Sequence, residues 1–340
     1  LEPVTRHSAL MRKAIVLAGT LLALSSFVVL ADARIDRFKR QGWGETDFTQ
    51  ISIELDEILS GGPPKDGIPS IDQPIFKTVA EITDIADREP VLSLEINGDA
   101  RTYPIRVLTW HEIVNDTVGG KPVTVTYCPL CNAAIVFERT VKGKELDFGT
   151  TGLLRNSDLV MYDRQTQSWW QQFTGEAIVG NMLGTKLTLV PARLEAFSLF
   201  KARHPNGKVL VPNNPGMRSY GANPYAGYDT TKAPFLYRGD LPTDINPMAR
   251  VVVVRQGDKR LVYALELLTK KGEITSGDIV FKWQKGQASA LDTRSIAKGR
   301  EVGNVTVQRR TSSGLEDLPY DVTFAFVVKA FHPEAQIIKK

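Results

Sequence analysis

Two cysteines are all that this chain of 340 residues contains, and they stand together in Cys128-Pro129-Leu130-Cys131. A pair so close cannot supply the disulfide framework that replaces a core in small secreted domains. The fold must therefore be held by buried apolar side chains. A hydrophobic content of 42% is enough for that and argues against disorder.

The N-terminus says where the chain goes. Arg12 and Lys13 precede the uncharged apolar run Ala14 to Ala31, which ends in the small-residue site Ala31-Asp32-Ala33. Basic, then apolar, then small is the order of a secretory signal peptide. It predicts a bacterial-type periplasmic or secreted protein, cleaved after Ala33. Left uncleaved, the run is at the lower edge of a membrane span and would act as a tether. Residues 1–10, upstream of Met11, carry no apolar pattern and are expected to lie outside the fold. The net charge of +4 is spread without a Lys/Arg block, so nucleic acid is not an expected partner.

Beyond residues 1–33 the chain divides by composition. Residues 34–77 read as an extended arm, punctuated by Ser60-Gly61-Gly62-Pro63-Pro64. Residues 78–211 form a half that holds the cysteine pair, 212–249 a Pro/Gly/Tyr-rich connection, and 250–340 a second, repeat-like half. In the first half, Val91 to Ile96, the turn Asn97-Gly98-Asp99 and Ala100 to Val107 make a hairpin signal. A helical turn over Trp110 to Val114, closed by Gly119-Gly120, is expected next, then strands Pro122 to Tyr127 and Ala134 to Arg139. Pro191 to Pro205 reads as a helix. Arg250 to Asp258 and Lys259 to Leu268 repeat the hairpin grammar, with Tyr263 matching Tyr103 once a residue is inserted. The fold class expected is β-rich α+β, with short antiparallel strands and a few short helices. The repeat opens the option of an internally duplicated, pseudo-twofold architecture with the cysteines in one copy.

Three readings of Cys128 and Cys131 are open. A thioredoxin-type dithiol needs a long helix after the motif to lower the first thiol's pKa, and Ile135-Val136-Phe137 leads into a strand instead. A metal knuckle needs strand, Cys-Pro-x-Cys, a residue tolerant of positive φ, and a returning strand. Asn132 meets that need. A structural disulfide closing so short a loop contributes about 2 kcal/mol or less. For the knuckle, the missing ligands are expected from His111, just upstream, and His332, with His204 less favoured. Copper, zinc or iron fits such a Cys/His set. Asp158, Asp163, Arg155 and Arg164 are candidates to line a cleft beside it, and Met161 and Met182 are candidate thioethers that fit better as core. Neither a nucleophile elbow nor a P-loop nor a zinc-protease helix motif is present.

Several motifs in order resemble one prokaryotic family. Tyr103-Pro104-Ile105, Trp110-His111-Glu112-Ile113-Val114-Asn115-Asp116, Thr126-Tyr127-Cys128-Pro129-Leu130-Cys131-Asn132, Gly152-Leu153-Leu154, Met161-Tyr162-Asp163-Arg164, Gly175 to Gly180 and Phe331-His332-Pro333 look like the domain-of-unknown-function family numbered 3179. The resemblance implies an exported or membrane-tethered protein with Cys128, Cys131, His111 and His332 in a shared site. It implies no activity. Metal binding is preferred as the function. The alternatives are thiol-disulfide redox chemistry at the same cysteines, and a metal-dependent hydrolase or oxidoreductase with an open coordination position.

Overall fold

The computed structural model describes residues 33–257 and 259–340. Residues 1–10 and the signal segment up to Asp32 lie outside the described residues. Among the described residues, no helix is long and apolar enough to cross a membrane.

Alternation of side chains builds the first sheet. In β1 (Pro90–Ile96), Leu92 and Leu94 enter the central core, while Val91 packs on the opposite face with Phe197 and Phe200. β2 (Asp99–Pro104) returns through Asn97-Gly98, at φ 51° and 81°, the left-handed pair that a two-residue hairpin turn demands. Pro104 ends the strand at φ −61° and α1 (Ile105–His111) begins. β3 (Ile113–Val118), β4 (Lys121–Cys128) and β5 (Ala133–Glu138) follow as a meander. The helix expected through Val114 thus stops at His111. The β-branched Ile113-Val114 starts a strand, and Gly119-Gly120 turns it into β4.

The chain then inserts a second antiparallel sheet: β6 (Phe148–Arg155), β7 (Asp158–Asp163), β8 (Trp169–Gln171) and β9 (Glu176–Val179). Ile58–Ser60 of the N-terminal arm pairs with its β6 edge. Phe38, Trp43 and Phe48 set their rings edge-on to Trp169 at 5.1, 5.2 and 5.4 Å, which anchors the arm. β10 (Arg193–Ala196), α2 (Phe197–Arg203) and β11 (Lys208–Val211) extend the first sheet in the order β10-β1-β2-β11, and Ile75–Thr78 pairs with β11 as its fifth, edge strand. The helix expected over Pro191 to Pro205 is half strand, because its first residues pair with β1.

The same plan recurs. β12 (Arg250–Gln256), β13 (Lys259–Ala264) and α3 (Leu265–Lys271) lead to β14 (Glu273–Ser276), β15 (Ile279–Gln284) and β16 (Asn304–Thr311). β17 (Tyr320–Phe324), α4 (Ala325–Phe331) and β18 (Ile337–Ile338) then close a sheet ordered β17-β12-β13-β18. Its last pair is parallel, as β2 and β11 are. Leu92 faces Tyr103 and Val252 faces Tyr263 in one register, so the tyrosines align without the inserted residue expected. Leu92, Tyr103, Val252, Tyr263 and Phe281 share a single core.

The two copies are tied by reciprocal bonds. Asn132, just before β5, donates from Nδ2 to Val322 O at 2.9 Å; Asn304, at the start of β16, accepts at Oδ1 from Ala196 N at 2.6 Å. Asn132 is therefore both a left-handed turn residue and an inter-copy tie. Asn132→Ala is expected to cost about 2–3 kcal/mol, and Asn132→Gly only about 1 kcal/mol because it keeps the backbone freedom. Urea denaturation of both variants checks the ordering; equal losses would contradict it.

Candidate metal centre

The cysteine loop has the geometry of a knuckle. β4 delivers Cys128, Pro129–Cys131 make a 3-10 turn, Asn132 takes φ 51° and ψ 31°, and β5 leads away. The tight turn sends both sulfurs to one side, where each lies 3.6 Å from the carbonyl oxygen of Ser157. Thr323 Oγ1 donates to Cys131 O at 2.7 Å and Tyr228 OH to Leu130 O at 3.0 Å, so the second copy and the connection both pin the loop.

Ser157 belongs to the hairpin between β6 and β7. Asn156 and Ser157 stand at φ 53° and 65°, again a two-residue left-handed turn. The turn places the next residue, Asp158, beside the sulfurs. One Sγ from each cysteine and a carboxylate oxygen of Asp158 lie within 4.8 Å of one another, all three residues buried.

Asp158 Oδ2 accepts from Gln171 Nε2 at 2.6 Å and from Phe173 N at 2.8 Å. Its Oδ1 is buried and accepts no hydrogen bond of ordinary geometry among the described residues. Burial pushes the Asp158 carboxyl up to about 6 despite those two bonds, and raises both thiols. Among the described residues, no lysine or arginine pairs with this group. Buried acids without a cation either keep their protons or take up a metal ion, whose binding releases them.

The histidines expected here are elsewhere. His111 is clamped at the end of α1, with Nδ1 at 2.7 Å from Pro69 O and Nε2 at 2.8 Å from Tyr220 OH, so both ring nitrogens are engaged. His332 caps α4, where Nε2 accepts from Arg260 Nε at 3.3 Å and the ring lies against Phe173. Burial and the nearby Arg260 and Arg255 push His332 down to about 4. His204 caps α2, 3.7 Å from Glu95. Among the described residues, no group of three candidate ligands within 4.8 Å contains a histidine.

Of the cleft candidates, only Asp158 reaches the sulfurs. Asp163 is spent on Thr166 and the indole of Trp170, Arg155 on Glu57, and Arg164 on Asp72. Met161 and Met182 pack in the apolar cluster that also contains the cysteines.

Glu112 was legible only as part of a motif. It follows α1 at φ 59° and ψ −33°, its N–H bonded to Leu108 O. Gly272 occupies the same place after α3, at φ 73° and ψ −42°, bonded to Leu268 O. Tyr127 N donates to Glu112 O and Trp283 N to Gly272 O, both at 2.8 Å. One copy thus places glutamate where the other uses glycine, against a backbone cost of about 1–3 kcal/mol. The carboxylate is buried and makes no hydrogen bond or ion pair that is seen among the described residues. Burial, then the charge of Asp158, push it up to about 8. It shares with Cys128 the wall of a cavity of about 600 Å³.

Two outcomes follow. Glu112→Gly is expected to raise stability by about 1–3 kcal/mol, read as a higher melting temperature; a lower one would contradict the strain. In the metal-free protein, Glu112 and Asp158 hold protons that the unfolded chain has released, since both folded values lie above the ordinary 4.5 and 3.8. The contribution of these two groups to stability therefore falls as pH rises from about 4 to about 8, and the stability difference between wild type and Glu112→Gln falls with it. Thermal melts across that range check the sign.

No curated protein and no solved structure matches the chain. Residues 65–335 match the model of a protein family of unknown function, DUF3179, and the chain belongs to that family.

Proposed function

We propose that this protein binds a single metal ion through Cys128, Cys131 and Asp158, outside the cytoplasm. The observation that carries the reading is a buried group of two thiols and the Asp158 carboxylate, with one carboxylate oxygen that takes no N–H or O–H donor and no lysine or arginine beside it among the described residues. Two thiolates and one carboxylate more than balance the charge of a divalent ion, and the mixed sulfur and oxygen set suits zinc(II) or iron(II) better than the softer copper(I). Three ligands leave a coordination position open, and Cys128 lies in the wall of the cavity. That placement favours a site that meets small molecules over a closed structural one.

The thiol-redox reading is less well supported. A reactive dithiol needs an accessible thiolate, whereas burial raises both thiols here. Export rests on the order of Arg12-Lys13, the run Ala14 to Ala31 and Ala31-Asp32-Ala33. Periplasmic protein recovered after expression of the full chain is expected to begin at Arg34.

Elemental analysis of protein purified anaerobically under reducing conditions tests the metal site. About one equivalent is expected. Cys131→Ser and Asp158→Asn should lose it, and His111→Ala should keep it. Metal-free wild type, or loss in His111→Ala alone, would overturn the reading.

A further inference from the structure

The cavity beside the cysteine loop has a wall chemistry of its own. It is lined by the aromatic side chains Tyr225, Tyr228 and Phe235, by Leu130 and other apolar residues, and by Cys128. Glu112 is the one side chain of formal charge in that wall among the described residues, and neither lysine nor arginine contributes to it. A volume of about 600 Å³ is within the usual range for a small organic ligand.

Glu112 is the anomaly to be explained. It is 7% exposed, its carboxylate is seen to take no partner among the described residues, and it stands at a positive φ where the second copy has Gly272. A strained backbone and a desolvated carboxylate both cost stability, and neither contributes to packing. Such costs persist where the side chain meets a ligand. Aromatic faces around a lone carboxylate suit a cation, which gains from both. An anionic ligand would find no counter-ion in that wall.

We propose that this cavity binds a small organic cation, a primary amine or amidine on an apolar body, with Glu112 as its counter-ion. The inference goes beyond the metal reading and does not rest on it, because Glu112 is outside the group of three metal ligands.

Calorimetric titration of the full protein with benzylamine, benzoate and benzyl alcohol tests the proposal. Benzylamine is expected to bind about tenfold or more tightly than benzoate, and Glu112→Gln to remove about tenfold of that affinity while leaving benzyl alcohol unchanged. Glu112→Gly, whose backbone is that already adopted by Gly272, serves as a second variant and should lose the same preference. Metal content should be unaffected in both, which separates this outcome from the fate of the metal site. No benzylamine binding, equal binding of benzoate, or unaltered benzylamine affinity in both variants overturns the proposal. So does benzylamine affinity that disappears on chelation but survives both substitutions, since the amine would then be a metal ligand.

Discussion

Three acidic groups, the thiols of Cys128 and Cys131 and the carboxyl of Asp158, are buried side by side with no ion-paired lysine or arginine among the described residues. Keeping them so needs three separate elements. The β4–β5 knuckle turns both sulfurs one way, the β6–β7 hairpin brings Asp158 to them, and β17 of the second copy holds the loop through Thr323 and Asn132. Gln171 and Phe173 fix one oxygen of Asp158 and leave the other facing the thiols, with no N–H or O–H donor among the described residues. An arrangement that spends this much order on uncompensated acids has a physical rationale in a bound cation.

The duplicated plan shows which features serve the fold and which serve the site. Both copies share hairpin register, helix length, parallel closing strand and the reciprocal asparagine bonds. They part where the chemistry is. The first copy ends β4 at Cys128 and joins it to β5 by four residues that include Cys131, whereas residues 285–303 join β15 to β16 in the second. The first copy also has Glu112 in the place of Gly272. The inserted sheet that supplies Asp158 lies between β5 and β10, where the second copy has only the short strand Gly314–Asp317 before β17. The second copy supplies support, and the first holds the acids.

Much of this was readable in the residues. Cys-Pro-Leu-Cys-Asn dictates its own turn, because Pro129 and Asn132 each restrict or permit one backbone conformation. Asn97-Gly98 dictates a hairpin for the same reason. The third candidate ligand was not readable as such: Asp158 is one carboxylate among many until the hairpin turn at Asn156-Ser157 brings it to the sulfurs. His111 misled by proximity in sequence, since α1 ends with its ring bonded to Pro69 and Tyr220. His332 misled by its motif, which serves to cap α4. A signal for Glu112 did exist: aligning Tyr103 with Tyr263 without a gap sets it opposite Gly272, and glutamate facing a turn glycine marks strain.

X-ray absorption at the edge of the metal that the purified protein carries reads the ligand set directly. Two sulfur scatterers at about 2.3 Å with oxygen completing the shell, and no imidazole outer-shell pattern, is the result that Cys128, Cys131 and Asp158 require. An imidazole pattern, or a shell without sulfur, would contradict it.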